Sequence, residues 1–276
     1  MRDDASDASG MSPGRFASFP AHENGVTSAS FSPNGATLAT GGYDGVVRLW
    51  DTNSWRETQA LPGHRRGHVA FAPDGARLIS GGLHKDAVVF DTSTWEVIGV
   101  LAASGGVWSL AYRPDGSQIV LIEPNEDSEE RAHRPVEFWD PHSLTMTGTA
   151  NVGTDDAYAV AFSTNGQFAT LAHAPGGSVS LWSADFARRL HLFQAHNLAA
   201  WGLAFAPDGK TLATGGADNV ARLWDTASWE MRHEITYSEF EEAMGYNNGV
   251  LCAAFSPDGS LLVTGGLDGM LTVWRL

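Results

Sequence analysis

Apolar and polar positions alternate along this chain in short bursts that are broken by polar turns. Residues 26–55 show the unit. Val26-Thr27-Ser28-Ala29-Ser30-Phe31 sets small or apolar side chains at alternate positions, the period of a strand with one buried face. Ser32-Pro33-Asn34-Gly35 then turns the chain, because proline pre-sets φ and glycine takes positive φ without a Cβ clash. Ala36 to Thr40 reads as a second strand and Gly41 to Gly45 as a turn. Val46 to Trp50 is a third strand, and Asp51 to Trp55 turns into a fourth.

The unit is written six times. Its first strand ends in an aromatic followed by a Pro/Thr-Asx-Gly turn, at Phe31, Phe71, Tyr112, Phe162, Phe205 and Phe255. Its third strand closes on Trp50, Phe90, Trp139, Trp182, Trp224 and Trp274. A period of roughly 40 to 50 residues means stacked equivalent units. Four antiparallel strands joined by hairpin turns form a twisted sheet that cannot cover both of its faces alone. Radial packing covers them and leaves only short, protected edges. The expected fold is all-β: a propeller of six four-stranded antiparallel blades. The last unit stops after its third strand, at Val273-Trp274-Arg275-Leu276. Arg15 to His22 aligns with Gln59 to His64, a fourth strand leading into the next unit. Residues about 14–19 should therefore pair with the last blade and close the ring, making 14–276 a single domain. Residues 1–13 are polar and acidic, lack the apolar core of a secretory signal, and should be a disordered lead with nothing to bury.

The strand ends Leu49-Trp50-Asp51 and Leu223-Trp224-Asp225, with the variants Phe138-Trp139-Asp140 and Val89-Phe90-Asp91, resemble the signature of the WD-repeat family. The resemblance covers nearly the whole chain. Members of that family most often have seven blades; six are counted here, and an open ring that borrows a blade from a partner is the alternative. The family also carries a His before the first strand, a Ser or Thr on the second and an Asp in the following turn, hydrogen-bonded with the Trp to lock each blade. His22, Thr40, Asp44 and Trp50 fit that structural network, as do His196, Thr214, Asp218 and Trp224. The sixth unit keeps Thr264, Asp268 and Trp274 but has Tyr246 at the His position. The second has Ser80, with His84 where the Asp belongs. The third and fourth units are expected to lack the network, leaving blades less rigid at their upper edge.

The resemblance implies a non-catalytic scaffold that binds a protein or peptide across its upper face. The family position four before the first-strand aromatic lies at the upper mouth, which here gives Thr27, Gly67, Trp108, Tyr158, Trp201 and Leu251; Tyr43 precedes the turn Asp. Tyr43, Trp108, Tyr158 and Trp201 are the expected partner-binding anchors, since Trp and Tyr bury large rigid surface at low entropy cost. By contrast Trp55, Trp95 and Trp229 follow the Asp-Thr-x-Ser/Thr repeat identically and read as packing. Three loop anomalies fall on the same face. Residues 123–134 form a Glu-rich expansion, which is a solvated loop or a site for a basic partner. Residues 232–246 form a long connection, which is a short helix capped by Ser238 that covers the blade edge or docks a partner. Arg65, Arg66 and Lys85 form a basic cluster, which pairs with the acidic loop or contacts an acidic peptide.

Charge and composition narrow the classes. Lys+Arg number 17 against 32 Asp+Glu, a net charge of −15 at pH 7, so nucleic acid and acidic membranes should be repelled. No run of 18 apolar residues exists, and no membrane span is expected. The single cysteine, Cys252, excludes an intramolecular disulfide and sits in an apolar strand as a buried thiol. A cytoplasmic location and a monomer are expected. His64, His68 and His84 come without HExxH or paired CxxC spacing, and no GxSxG, phosphate loop or dinucleotide fingerprint occurs. No catalytic residue, metal site or cofactor is expected. Two further readings stand beside the scaffold. In one, the chain is a subunit of a larger assembly that contacts through blade edges or borrows a blade. In the other, it is a hydrolase or lactonase with a metal in the channel, which needs inward His, Asp or Glu from several blades.

Overall fold

The structure, a computed structural model, describes residues 13–83, 86–103, 105–123, 136–150, 157–172, 177–236 and 249–276. Six four-stranded antiparallel sheets stand around one axis. Blade one is β2 (Val26–Phe31), β3 (Thr37–Gly42), β4 (Val46–Asp51) and β5 (Arg56–Pro62). Blade two is β6 (His68–Phe71), β7 (Arg77–Gly81), β8 (Asp86–Asp91) and β9 (Val97–Ala102). Blade three is β10 (Ser109–Tyr112), β11 (Ile119–Ile122), β12 (Val136–Trp139) and β13 (Met146–Ala150). Blade four is β14 (Ala157–Phe162), β15 (Phe168–Ala172), β16 (Ser178–Trp182) and β17 (Arg189–Gln194). Blade five is β18 (Ala200–Phe205), β19 (Thr211–Gly216), β20 (Val220–Asp225) and β21 (Met231–Thr236). Blade six joins β22 (Val250–Phe255), β23 (Leu261–Gly266) and β24 (Met270–Arg275) to β1 (Gly14–Pro20) from the other end of the described chain.

That last pairing closes the ring. β1 runs antiparallel to β24 from Gly14 opposite Arg275 to Pro20 opposite Met270, with a bulge between Arg15 and Ala17. Ser18 and Thr272 share a hydroxyl hydrogen bond of 2.9 Å, and Ala21 N donates to Gly269 O at 2.8 Å. The outer edge of blade six is filled by the chain's own β1, so the open ring with a borrowed blade is not the fold observed.

Each second strand is sandwiched between blades, and its described side chains are buried from the second residue onward. Leu38, Leu78, Ile119, Phe168, Leu212 and Leu262, the residues opposite the closing aromatics, are fully buried. The inner strands β2, β6, β10, β14, β18 and β22 contact one another in sequence and back to β2. Serine hydroxyls tie them: Ser28 accepts from Val69 N, Ser30 from Phe71 N and Ser109 from Val160 N, each at 3.1 Å. The Pro-Asx-Gly turns form as read. Gly35 takes φ 72°, and its N donates to Ser32 O at 2.8 Å.

The turn between third and fourth strands holds a less expected feature. Trp55, Trp95 and Trp229 adopt φ of 55°, 60° and 60°, and Leu144 and Phe186 take the same place in blades three and four at 56° and 62°. A left-handed backbone costs a non-glycine residue about 1 kcal/mol. Asp51 and Asp225 brace it by accepting from the following backbone, Ser54 N and Ser228 N, at 2.8 Å. The ring side chains pack against the neighbouring outer strand, as Trp229 does on His191 at 5.3 Å and Phe193 at 5.7 Å.

Candidate interaction site at the upper mouth

In blade one, His22 bridges two strands. Its Nδ1 lies 2.9 Å from Asp44 Oδ1 and its Nε2 lies 2.8 Å from Thr40 Oγ1. The carboxylate must accept, so Nδ1 carries the proton and Nε2 accepts from the Thr40 hydroxyl. Thr40 Oγ1 in turn accepts from Trp50 Nε1 at 2.9 Å. Arg48 donates to Asp44 Oδ2 at 2.6 Å and pairs with Glu57 at 3.2 Å. Blade five repeats every part. His196 meets Asp218 and Thr214 at 2.8 Å each, Trp224 Nε1 donates to Thr214 Oγ1 at 2.9 Å, and Arg222 holds Asp218 and Glu234 at 2.8 and 2.9 Å. Burial is the first cause that holds both histidines below their ordinary pKa, and Arg48 and Arg222 act the same way. The aspartates stay low against their own burial because His and Arg hydrogen bonds favour the carboxylate.

The other blades keep parts of this lock. Trp274 Nε1 donates to Thr264 Oγ1 at 2.8 Å in blade six, whose Tyr246 lies outside the described residues. Blade four was expected to lack the network, yet Trp182 Nε1 donates to Thr170 Oγ1 at 3.1 Å, so its threonine half is present. In blade two Phe90 stands in the Trp place and brings no N–H, and the buried Ser80 Oγ meets no partner among the described residues; His84 lies outside them. Blade three puts Leu121 where the threonine would be, and Trp139 Nε1 turns instead to Glu137 Oε2 at 3.0 Å. Glu137 is only 8% exposed and is hydrogen-bonded to Glu123. Burial first, and the Glu123 charge second, raise its pKa above the carboxylate range. The sequence reading missed Glu137. Its signal was a glutamate inside the apolar run Val136-Glu137-Phe138-Trp139, two before the Trp, where blades one and five carry arginine.

One cluster joins residues from three blades. Arg66 leads into blade two with its guanidinium 4.9 Å from the Trp108 ring centre and 5.1 Å from that of Tyr158. The two rings meet at 4.2 Å and a 49° tilt, and Arg66 donates to Tyr158 Oη at 3.0 Å. Trp201 lies on a separate part of the rim. It lines the central channel, a cavity of about 90 Å³, together with Thr27, His68, Ser109, Leu251 and Cys252. Burial and the Arg66 charge push the His68 pKa down to about 3, so its imidazole is neutral at physiological pH. Burial pushes the Cys252 thiol up to about 12. Tyr43 does not join the cluster; it packs over Gly25, where an added Cβ would fall 3.0 Å from the ring. Arg65 is exposed beside Gly45, with no ion pair among the described residues. Lys85, residues 124–134 of the Glu-rich loop and residues 237–248, with the Ser238 cap, lie outside the described residues. Among the described residues no group of three His, Cys, Asp or Glu is placed to hold a metal, and no helix is long and apolar enough to cross a membrane.

Closed ring and hydrogen-bonded locks together define a six-bladed β-propeller built from Trp-Asp repeats. Residues 15–51, 187–225 and 239–275 match the family described as WD domain, G-beta repeat. It is similar to Autophagy-related protein 16 of Arabidopsis thaliana, with 27% identity over 76% of this chain and 40% of that protein. WD repeat-containing protein VIP3 of the same plant is 26% identical over 71% of this chain and 65% of its own length. THO complex subunit 3, also of Arabidopsis thaliana, is 23% identical over 75% and 65%. The chain thus spans from about two fifths to just under two thirds of the length of these relatives.

Proposed function

We propose that the chain is a non-catalytic interaction platform that takes a segment of a partner protein across its upper mouth. One observation carries this reading: Arg66, Trp108 and Tyr158 come from three blades and meet in one cluster. A rigid ring that brings two aromatics and an arginine to one rim offers the residue types that dominate interface energies. Trp201 extends the surface across the channel mouth. Similarity to a protein named as a subunit of the THO complex supports a role inside an assembly. The lone buried thiol fits a reducing compartment such as the cytoplasm. The test is affinity capture from the native cell with the parent chain and with Trp108→Ala/Trp201→Ala. Loss of a specific partner, with the melting temperature unchanged, supports the mouth. Full capture by the double variant removes it.

The edge of blade two supports a second reading, contact through a blade side. β9 carries only Val97, Ile98, Gly99, Val100, Leu101 and Ala102, and Val97, Ile98 and Val100 are exposed on an outer strand. Outer strands of soluble sheets usually carry charge that blocks pairing with another chain. Val100→Lys would abolish a contact made there and leave capture through the mouth intact.

A further inference from the structure

Resting on that reading of the mouth, we infer that the Arg66 cluster recognises a carboxylate, supplied by an Asp or Glu side chain of the partner segment. The first support is what the other arginines do. Arg48 and Arg222 each hold two carboxylates, and Arg232 holds Asp225. Arg113, which also stacks on two aromatic rings, donates to the fixed carbonyl of Ala184 at 2.9 Å. Arg66 makes one hydrogen bond, to the neutral Tyr158 hydroxyl, and meets no carboxylate among the described residues. A guanidinium has five N–H donors in a planar fork that fits a carboxylate in two-point contact. Of the half-buried arginines, Arg48 and Arg222 meet carboxylates and Arg77 and Arg113 meet backbone carbonyls, so Arg66 alone has a hydroxyl as its one acceptor among the described residues.

Donors are also in surplus nearby. The Trp108 indole N–H finds no acceptor among the described residues. Arg65, next in the chain, is exposed and adds a second positive charge to the rim. The backbone that presents Arg66 is held in place. Its φ is 55°, a left-handed value that a non-glycine residue keeps only when its surroundings impose it. They do so from both sides. Leu83 N donates to Arg65 O at 3.1 Å, Gly67 N donates to Gly42 O at 3.0 Å, and Thr27 Oγ1 donates to Gly67 O at 2.6 Å. The two rings keep the guanidinium half-buried, so a carboxylate reaching it would bind in a medium less screened than bulk water.

The experiment follows the Trp108 indole signal in a ¹⁵N–¹H spectrum, assigned with Trp108→Phe, during titration with acetyl-Gly-Glu-Glu-Gly-amide. Acetyl-Gly-Gln-Gln-Gly-amide and a phosphoserine peptide of the same length are the comparison arms. A saturable shift with the Glu peptide, absent with the Gln peptide, is expected. Arg66→Gln should weaken it at least tenfold, and Arg66→Lys should weaken it less because the charge stays. Equal shifts with Glu and Gln peptides, or an unchanged Glu titration in a folded Arg66→Gln chain, would overturn the inference. So would phosphoserine binding more than tenfold tighter than Glu, which would assign the site to phosphate. Loss of capture in the Trp108/Trp201 double variant with no Glu preference leaves the platform standing and removes the carboxylate alone.

Discussion

Blades five, six and one stand side by side in the ring, and so do blades two, three and four. The first group carries the lock: Trp to Thr in all three, completed by His and Asp in blades one and five. The three stretches that match the WD repeat, residues 15–51, 187–225 and 239–275, fall on this half except for β17, the outer strand of blade four. In the second half the lock is altered in blades two and three, while blade four keeps the Trp–Thr bond that blade six also shows. Phe90 replaces the Trp in blade two, Glu137 takes the indole in blade three, and blade four keeps only Thr170 with Trp182. The Arg66, Trp108 and Tyr158 cluster lies wholly in that half. One half of the ring uses its buried polar groups to hold sheets together, and two blades of the other have departed from that pattern. The proposed recognition surface thus lies on the side of the disc where the lock is altered.

Thr214→Val should cut deepest into this contrast. It strands both His196 Nε2 and Trp224 Nε1 inside the protein, at a cost of about 2–4 kcal/mol in urea unfolding. The corresponding change in the other half, Ser80→Ala, removes a hydroxyl that has no partner among the described residues and should stay within about 0.5 kcal/mol. Equal losses at the two sites would erase the distinction.

Acid should separate the halves next. His22 and His196 are held below the ordinary histidine pKa, so below about pH 6.5 the unfolded chain binds more protons than the folded one. The stability they contribute is present above that pH and is lost as pH falls. His68 adds the same slope from the channel. The melting temperature should therefore drop between pH 7.5 and 5.5, and His22→Ala/His196→Ala should flatten the drop in part. An unaltered slope would place the proton uptake elsewhere.

Glu137 has the opposite sign and the smallest effect. Its folded pKa is raised, so its contribution is full below the unfolded value near pH 4 and is lost as pH rises through the folded value. Glu137→Gln keeps an acceptor for Trp139 and discards the charge. It should melt above the parent at pH 7 and level with it near pH 4. A lower melting temperature at pH 7 would mean that the charged carboxylate is needed in blade three.

The fold was legible because it rests on local patterns repeated six times: alternate apolar positions, Pro-Asx-Gly turns and a closing aromatic. Ring closure was legible because Arg15–His22 copies the spacing of Gln59–His64. The locks of blades one and five follow a fixed spacing and could be read by position. Glu137 could not, since its role depends on Leu121 having displaced a hydroxyl on the adjacent strand. The left-handed Trp55, Trp95 and Trp229 were equally hidden, because repetition shows that a position matters without showing its φ. At the mouth, the family position proposed Trp108, Tyr158, Trp201 and Tyr43 as one set. Distances between blades decided that Arg66 joins the first two, that Trp201 faces the channel and that Tyr43 stands apart.

The most direct measurement of the division between halves is amide hydrogen exchange of the free chain, resolved to single strands. Strands β3 and β19, behind complete locks, should exchange slowest, with β23 close to them. Strands β7 and β11, where the lock is replaced, should exchange about tenfold faster or more. Uniform rates around the ring, or slower exchange in β7 and β11 than in β3 and β19, would contradict a stable half and a recognising half.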